Sequence, residues 1–336
     1  MLLDMELDND WKVENLSEKH PKGTGGVFSV GYNVKNKDGR VGFLKALDFS
    51  SAVNAKNSAL VIEAMISAYN FERRLLERCK TEHLSRVVVP IDSGEVNVEG
   101  FIGIGSKVYY IIFEKADGDI RSFDEKWTNF DLAFILRSLH HTAVGLNQLH
   151  SRSIAHQDIK PSNILIFNSR SSKVSDLGCA ASLGESSPRD EFDIPGDMTY
   201  APPELIYKFR VFHNINDRYI ADLYLFGSLI FNYFTSVPAI RATILKGKII
   251  RGDDFINDLP FLQAGFHVAL NDLAQEVKKY AGNMTSSIVE IAKELCEPDP
   301  RVRNKNARFG DPRQVYGLTK YISKLDYLAK RAEYKI

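Results

Sequence analysis

Hydrophobic and polar positions divide the chain into two unlike parts. Gly23–Asn33 runs from glycines into β-branched and aromatic residues, and Gly39–Leu47 follows as a partner, which predicts a pair of strands. Apolar residues at Leu60, Ala64, Ala68, Phe71, Leu75 and Leu76 share one face of a helix over Ser58–Lys80. Val87–Ile91 and Val108–Phe113 are short apolar runs that predict buried strands. Beyond Phe113 the pattern turns helical, over Phe130–His150, Asp222–Phe234 and Leu270–Leu295. In Lys320–Lys335, Tyr321, Leu325 and Leu328 keep helical spacing, which suits either a last helix on the same core or a partner surface. A strand-rich part followed by a helix-rich one predicts an α+β architecture with a cleft between two lobes.

Composition narrows the class without naming a function. A chain of 336 residues with 44% apolar and 26% charged residues can bury a large core. Its 43 basic and 43 acidic residues cancel, so no bulk electrostatic hold on nucleic acid or an anionic membrane is expected. Three cysteines, Cys79, Cys179 and Cys296, form no CxxC pair, which argues against a disulfide framework or structural zinc and fits a reducing cytoplasm. The acidic start Met1–Glu6 lacks the pattern of a signal peptide. The longest apolar stretches, such as Tyr224–Phe234, are about half of a membrane span. A cytoplasmic protein is the expectation.

The informative chemistry lies in His156-Gln157-Asp158-Ile159-Lys160-Pro161-Ser162-Asn163-Ile164-Leu165 and in Lys173-Val174-Ser175-Asp176-Leu177-Gly178. Phosphoryl transfer needs an acceptor for the substrate hydroxyl proton, oxygen ligands for magnesium, and a cation beside the moving phosphoryl group. Asp158, Lys160 and Asn163 can supply all three from one loop, and Asp176 before a glycine turn adds a second hard oxygen ligand.

These segments resemble the eukaryotic-type (Hanks-type) Ser/Thr protein kinase family, with its His-Arg-Asp-x-x-x-x-Asn catalytic loop and Asp-Phe-Gly metal loop. Other pieces follow in the family's order. Phe43-Leu44-Lys45 resembles the strand whose Lys meets the α/β-phosphates, and Glu72 resembles the helix glutamate that orients it, with Glu63 as the alternative. Gly23-Thr24-Gly25 through Val30 resembles the phosphate-covering loop. Tyr200–Glu204, Asp222–Gly227 and Asp299–Arg303 resemble structural marks of the helical lobe, with Arg303 paired to Glu204.

The resemblance, over about residues 15 to 310, implies a bilobal fold with an N-lobe over 1–115 and a C-lobe over 116–336. It further implies transfer of the γ-phosphate of ATP to Ser/Thr hydroxyls of a protein substrate, with magnesium. Asp158 would accept the hydroxyl proton, Lys160 would steady the γ-phosphate, and Asn163 and Asp176 would hold the metal. Lys45, held by Glu72, would position the α/β-phosphates. Backbone from Glu114 to Ala116 would meet adenine, with Val30 and Leu165 sandwiching the ring. The compact His-Gln-Asp-Ile-Lys-Pro-Ser-Asn form suggests a bacterial member.

Several residues depart from the family. Gln157 stands where an Arg usually pairs with a loop phosphate, so gating by loop phosphorylation is not expected. Phe28 replaces the third loop glycine, Phe43 a small Ala against the adenine, Leu177 the usual Phe, and Asp197 the Thr that braces the catalytic loop. Phe28 and Phe43 support a rival reading as a nucleotide-binding scaffold without catalysis; a small-molecule phosphotransferase is the second rival. His140, His141, Trp11, Trp127 and Cys179 are read as packing residues and His156 as a loop brace. Ser182, Ser186, Ser187 and Thr199 are the candidate autophosphorylation sites.

Overall fold

The computed structural model describes residues 2–18, 29–53, 55–98, 106–121, 130–209, 214–247, 254–303 and 317–334. Gly23, Gly25, Phe28 and Trp127 lie outside the described residues. Five antiparallel strands form the N-terminal sheet: β1 (Trp11–Leu16), β2 (Ser29–Asn36), β3 (Val41–Leu47), β4 (Pro90–Asn97) and β5 (Lys107–Glu114), in the order β1-β2-β3-β5-β4. Strand alternation sends Tyr32, Val34, Leu44 and Ala46 into an outer apolar cluster with Trp11 and Val13. Phe43 and Lys45 take the opposite face, towards the rest of the molecule.

Helix α1 (Ser58–Thr81) crosses that inner face, burying Met65, Tyr69, Phe71, Glu72, Leu75, Leu76 and Cys79. The apolar run at 87–91 is only partly a strand. Val87 makes a single bridge to Val174, and β4 begins at Pro90.

Below the sheet, α2 (Leu132–His150) starts where the Asp131 carboxylate accepts from the Phe134 amide at 3.0 Å. Short strands flank it: β6 (Gly118–Asp119), before the helix, pairs with β8 (Ile164–Phe167), which pairs with β9 (Ser171–Val174), and β7 (Ile154–Ala155) pairs with β10 (Ala181–Ser182). Helix α3 (Ile215–Thr235) begins before the apolar run at Asp222, because Asn214 and Asp217 form a reciprocal capping box. Helices α4 (Ala239–Gly247), α5 (Phe255–Ala281) and α6 (Thr285–Leu295) complete the bundle. The stretch expected as one helix to Leu295 breaks at Gly282, whose φ of 52° leaves the helical region.

Helix α7 (Leu318–Glu333) resolves the ambiguity of the basic tail. It buries Leu318, Tyr321, Leu325 and Leu328, and Arg137 of α2 bonds its Asp326 at 2.7 Å and Glu333 at 2.8 Å. One apolar core runs from α1 through β8, β9 and α2 into these helices, so the two lobes share packing at the back of the cleft.

Candidate active site

Lys45 projects from the inner face of β3. Its ammonium donates to both carboxylate oxygens of Glu72, at 3.0 and 3.1 Å, and to Asp176 Oδ1 at 3.2 Å. Glu72 is buried on α1, whereas Glu63 is exposed one face away. Burial opposes the Lys45 charge, but the carboxylates of Asp176 and Glu72 outweigh it and raise its pKa. Asp176, at a φ of 65°, is held down to about 2, chiefly by Lys45.

The catalytic-loop candidates are fixed by a lattice of hydrogen bonds. Buried Asp222 of α3 accepts from the amides of His156 and Gln157, both at 2.7 Å, and lies 2.8 Å from His150 Nε2. The His156 ring takes the tautomer with its proton on Nε2, donating to the Ser175 carbonyl at 2.9 Å while Nδ1 accepts the Asp158 amide at 3.2 Å. Asn163 Nδ2 donates to the Asp158 carbonyl at 2.8 Å and to Asp158 Oδ2 at 3.0 Å. Lys160 Nζ lies 3.0 Å from Asp158 Oδ2 and 3.4 Å from Asp197 Oδ2. Burial pushes the Asp158 carboxyl up despite Lys160 beside it. In the sequence Asp222 stands only as a structural mark of the helical lobe. Its carboxylate in fact orients the backbone on either side of the His156–Gln157 peptide, a role that only a tertiary contact 66 residues away reveals.

A family profile, Protein kinase domain, matches residues 17–308. The chain belongs to the protein kinase family. It is similar to an Aurora kinase of Debaryomyces hansenii, 30% identical over 139 residues, or 41% of this chain and 32% of that protein. It is also similar to a probable serine/threonine-protein kinase nek2 of Dictyostelium discoideum, 27% over 226 residues, or 65% and 48%. Serine/threonine-protein kinase Nek2 of Mus musculus is 23% identical over 334 residues, or 94% and 68%. The chain spans about half or less of the first two relatives.

Within this kinase domain one expected site residue stands elsewhere. Val30 pairs with Ala46 and packs on the outer cluster, on the face opposite Lys45. Gly31, which pairs with Lys45, occupies the cleft side of β2. Neighbouring residues of a strand take opposite faces, and the β2–β3 register decides which of the two meets the cleft. Leu165 of β8 is partly buried beside the same core as Phe43 and Ala116. The Glu114 side chain turns outward to Lys173 at 2.8 Å.

Gln157, in the left-handed region at a φ of 64°, donates to the Cys179 carbonyl at 2.7 Å and accepts from Arg218 at 3.1 Å. Arg218 bridges on to Asp190 at 2.7 Å, and Arg74 of α1 bonds Glu185 through two nitrogens at 2.9 and 2.6 Å. Asp197 donates its amide to Asp158 Oδ1 at 2.8 Å. A Cβ at Gly196 would lie 2.4 Å from the Gln157 carbonyl, so only glycine permits this approach. Burial pushes the Cys179 thiol up to about 12, which leaves no reactive thiolate. His141 is a packing residue that accepts the Ser172 amide at 3.2 Å. Ser186 and Thr199 are exposed, whereas Ser182 and Ser187 are buried, with the Ser187 hydroxyl donating to the Ala180 carbonyl at 2.8 Å.

Proposed function

We propose that this chain is an active Ser/Thr protein kinase that acts on protein substrates in the cytoplasm, with its lobes meeting at residues 115–116. The observation that carries the reading is the assembled Lys45–Glu72–Asp176 triangle beside the Asp158–Lys160–Asn163 loop. A scaffold without catalysis has no need of this set. In the reaction, Asp158 orients the substrate hydroxyl and takes its proton while Lys160 faces the transferred phosphoryl group. Lys45, fully charged between two carboxylates, meets the α/β-phosphates. Backbone between Glu114 and Ala116 meets the base, and Leu165 packs below it.

Asn163 and Asp176 would hold magnesium, which when bound offsets charge on the phosphate oxygens. The donor set fits. With Asn163 Nδ2 committed to Asp158, its carbonyl oxygen and the Asp176 carboxylate are the hard donors an oxygen-seeking ion takes. Among the described residues no cluster of three or more His, Cys, Asp or Glu side chains forms a self-contained cage. Magnesium needs none where substrate phosphates and water complete its shell.

The finer reading is that activity needs no loop phosphorylation. The Arg74–Glu185 and Arg218–Asp190 pairs supply carboxylates where a phosphate would otherwise bridge arginines, and Gln157 joins the second pair. Phosphoamino-acid analysis of a generic protein acceptor labelled from MgATP tests the acceptor class. Phosphoserine and phosphothreonine are expected; phosphotyrosine alone, or label passing only to amino-sugar or alcohol acceptors, overturns it.

A further inference from the structure

Phe43 and Lys45 share the cleft face of β3, two positions apart, which is about 7 Å along the strand. Lys45 marks the phosphate end through Glu72 and Asp176. Phe43 lies at the other end, paired with Phe113 of β5, where the chain leaves the sheet for Ala116. Both Phe43 and Leu165 are partly buried against one apolar core. A half-buried ring on this face is therefore placed for the base of a nucleotide and not for its phosphates.

Gly31 gives the ring its room. A Cβ at position 31 would lie 2.8 Å from Phe43 Cε2 and 2.9 Å from Cζ, closer than side chains pack. The ring tip fills the volume a β2 side chain would occupy, so the ring leans along the sheet instead of standing into the cleft. Gly31 is an ordinary strand residue, and it is space, not backbone conformation, that requires glycine here. The exchange also answers the crowding that Phe43 suggests in the sequence.

We propose that Phe43, seated over Gly31, forms an aromatic roof against which the planar base of the nucleotide stacks, and that the two positions act as one exchangeable unit. This rests on the nucleotide reading above. A ring offers a base a continuous π-face, and such stacking commonly changes affinity by about tenfold or more when the ring is removed. A small residue at 43 with glycine at 31 would leave the roof open. Valine at 31 with a small residue at 43 would close it again with aliphatic surface.

The test measures KM for MgATP and the MgATP-induced rise in Tm for wild type, Phe43→Ala, Phe43→Leu and the double variant Gly31→Val/Phe43→Ala. The Tm without nucleotide reports the fold of each. The expected result is a KM raised about tenfold in Phe43→Ala, with a smaller change in kcat, and largely restored in the double variant. Phe43→Leu, which keeps bulk without the π-face, is expected between wild type and Phe43→Ala and carries the test where the alanine variant is too unstable to assay. Wild-type nucleotide affinity in both single variants, or no recovery in a folded double variant, overturns the roof alone. A wild type that binds no MgATP overturns the nucleotide reading and the roof with it.

Discussion

Replacing Asp222 by Asn changes one atom and breaks the lattice that holds the catalytic loop. The carboxylate is fully buried and accepts from two consecutive amides, with His150 Nε2 as a third neighbour. An amide has one accepting oxygen. Placed towards His156 and His150, it turns its NH2 onto the Gln157 N–H; placed the other way, it loses both of the former. The better rotamer loses one charge-assisted bond, leaves one amide without an acceptor and weakens two others. Together these are worth roughly 3–5 kcal/mol. For a chain of this length that is a fall in Tm of about 4–7 °C. Because Gln157 sits in the left-handed region one residue before Asp158, the loop should relax as well. The kcat for phosphotransfer is expected to fall at least about tenfold at temperatures where the variant stays folded. Calorimetry and a peptide assay read the two effects. An Asp222→Asn protein within about 1 °C of wild type and with full kcat would refute the argument that Asp222 fixes the loop.

Three further outcomes follow from the same geometry. Phosphatase treatment is expected to leave the rate unchanged, whereas Glu185→Ala lowers it severalfold, which a radiometric assay before and after treatment reads. Asp158 must be ionised to take a proton, and burial raises its pKa; the acid limb of kcat therefore falls through a pH above about 4, the ordinary carboxylate value, and a limb at or below that value contradicts the assignment. Glu204→Ala strands the fully buried Arg303, which now bonds Glu204 at 2.7 and 2.9 Å, and should cost about 3–5 kcal/mol in urea unfolding.

The grouping of Lys45, Glu72, Asp176 and the 156–165 loop, and the two-part fold, are legible in sequence because they depend on short spacings and on helical periodicity. For that reason helical spacing gives α1 to within a residue. Features that depend on register or on distant contacts are not legible. Strand β1 buries only Trp11 and Val13 and shows little alternation to read. Val30 and Gly31 differ by one position, yet that position decides which face meets the cleft. Glu63 and Glu72 are both helix acids, and only the packing of α1 against β3 separates the buried one from the exposed one. The arginine clamps join Arg74 to Glu185 and Arg218 to Asp190 across folds of the chain that no local pattern records.

The central claim is that Asp158 and Lys45 belong to one working phosphotransfer site. The most direct measurement is incorporation of label from MgATP into the protein and into myelin basic protein, with Asp158→Asn and Lys45→Ala run beside wild type. Incorporation by wild type and its loss in both variants are the expected result. Label that persists undiminished in either variant, or a wild type that neither transfers phosphate nor gains thermal stability with MgATP, would contradict it.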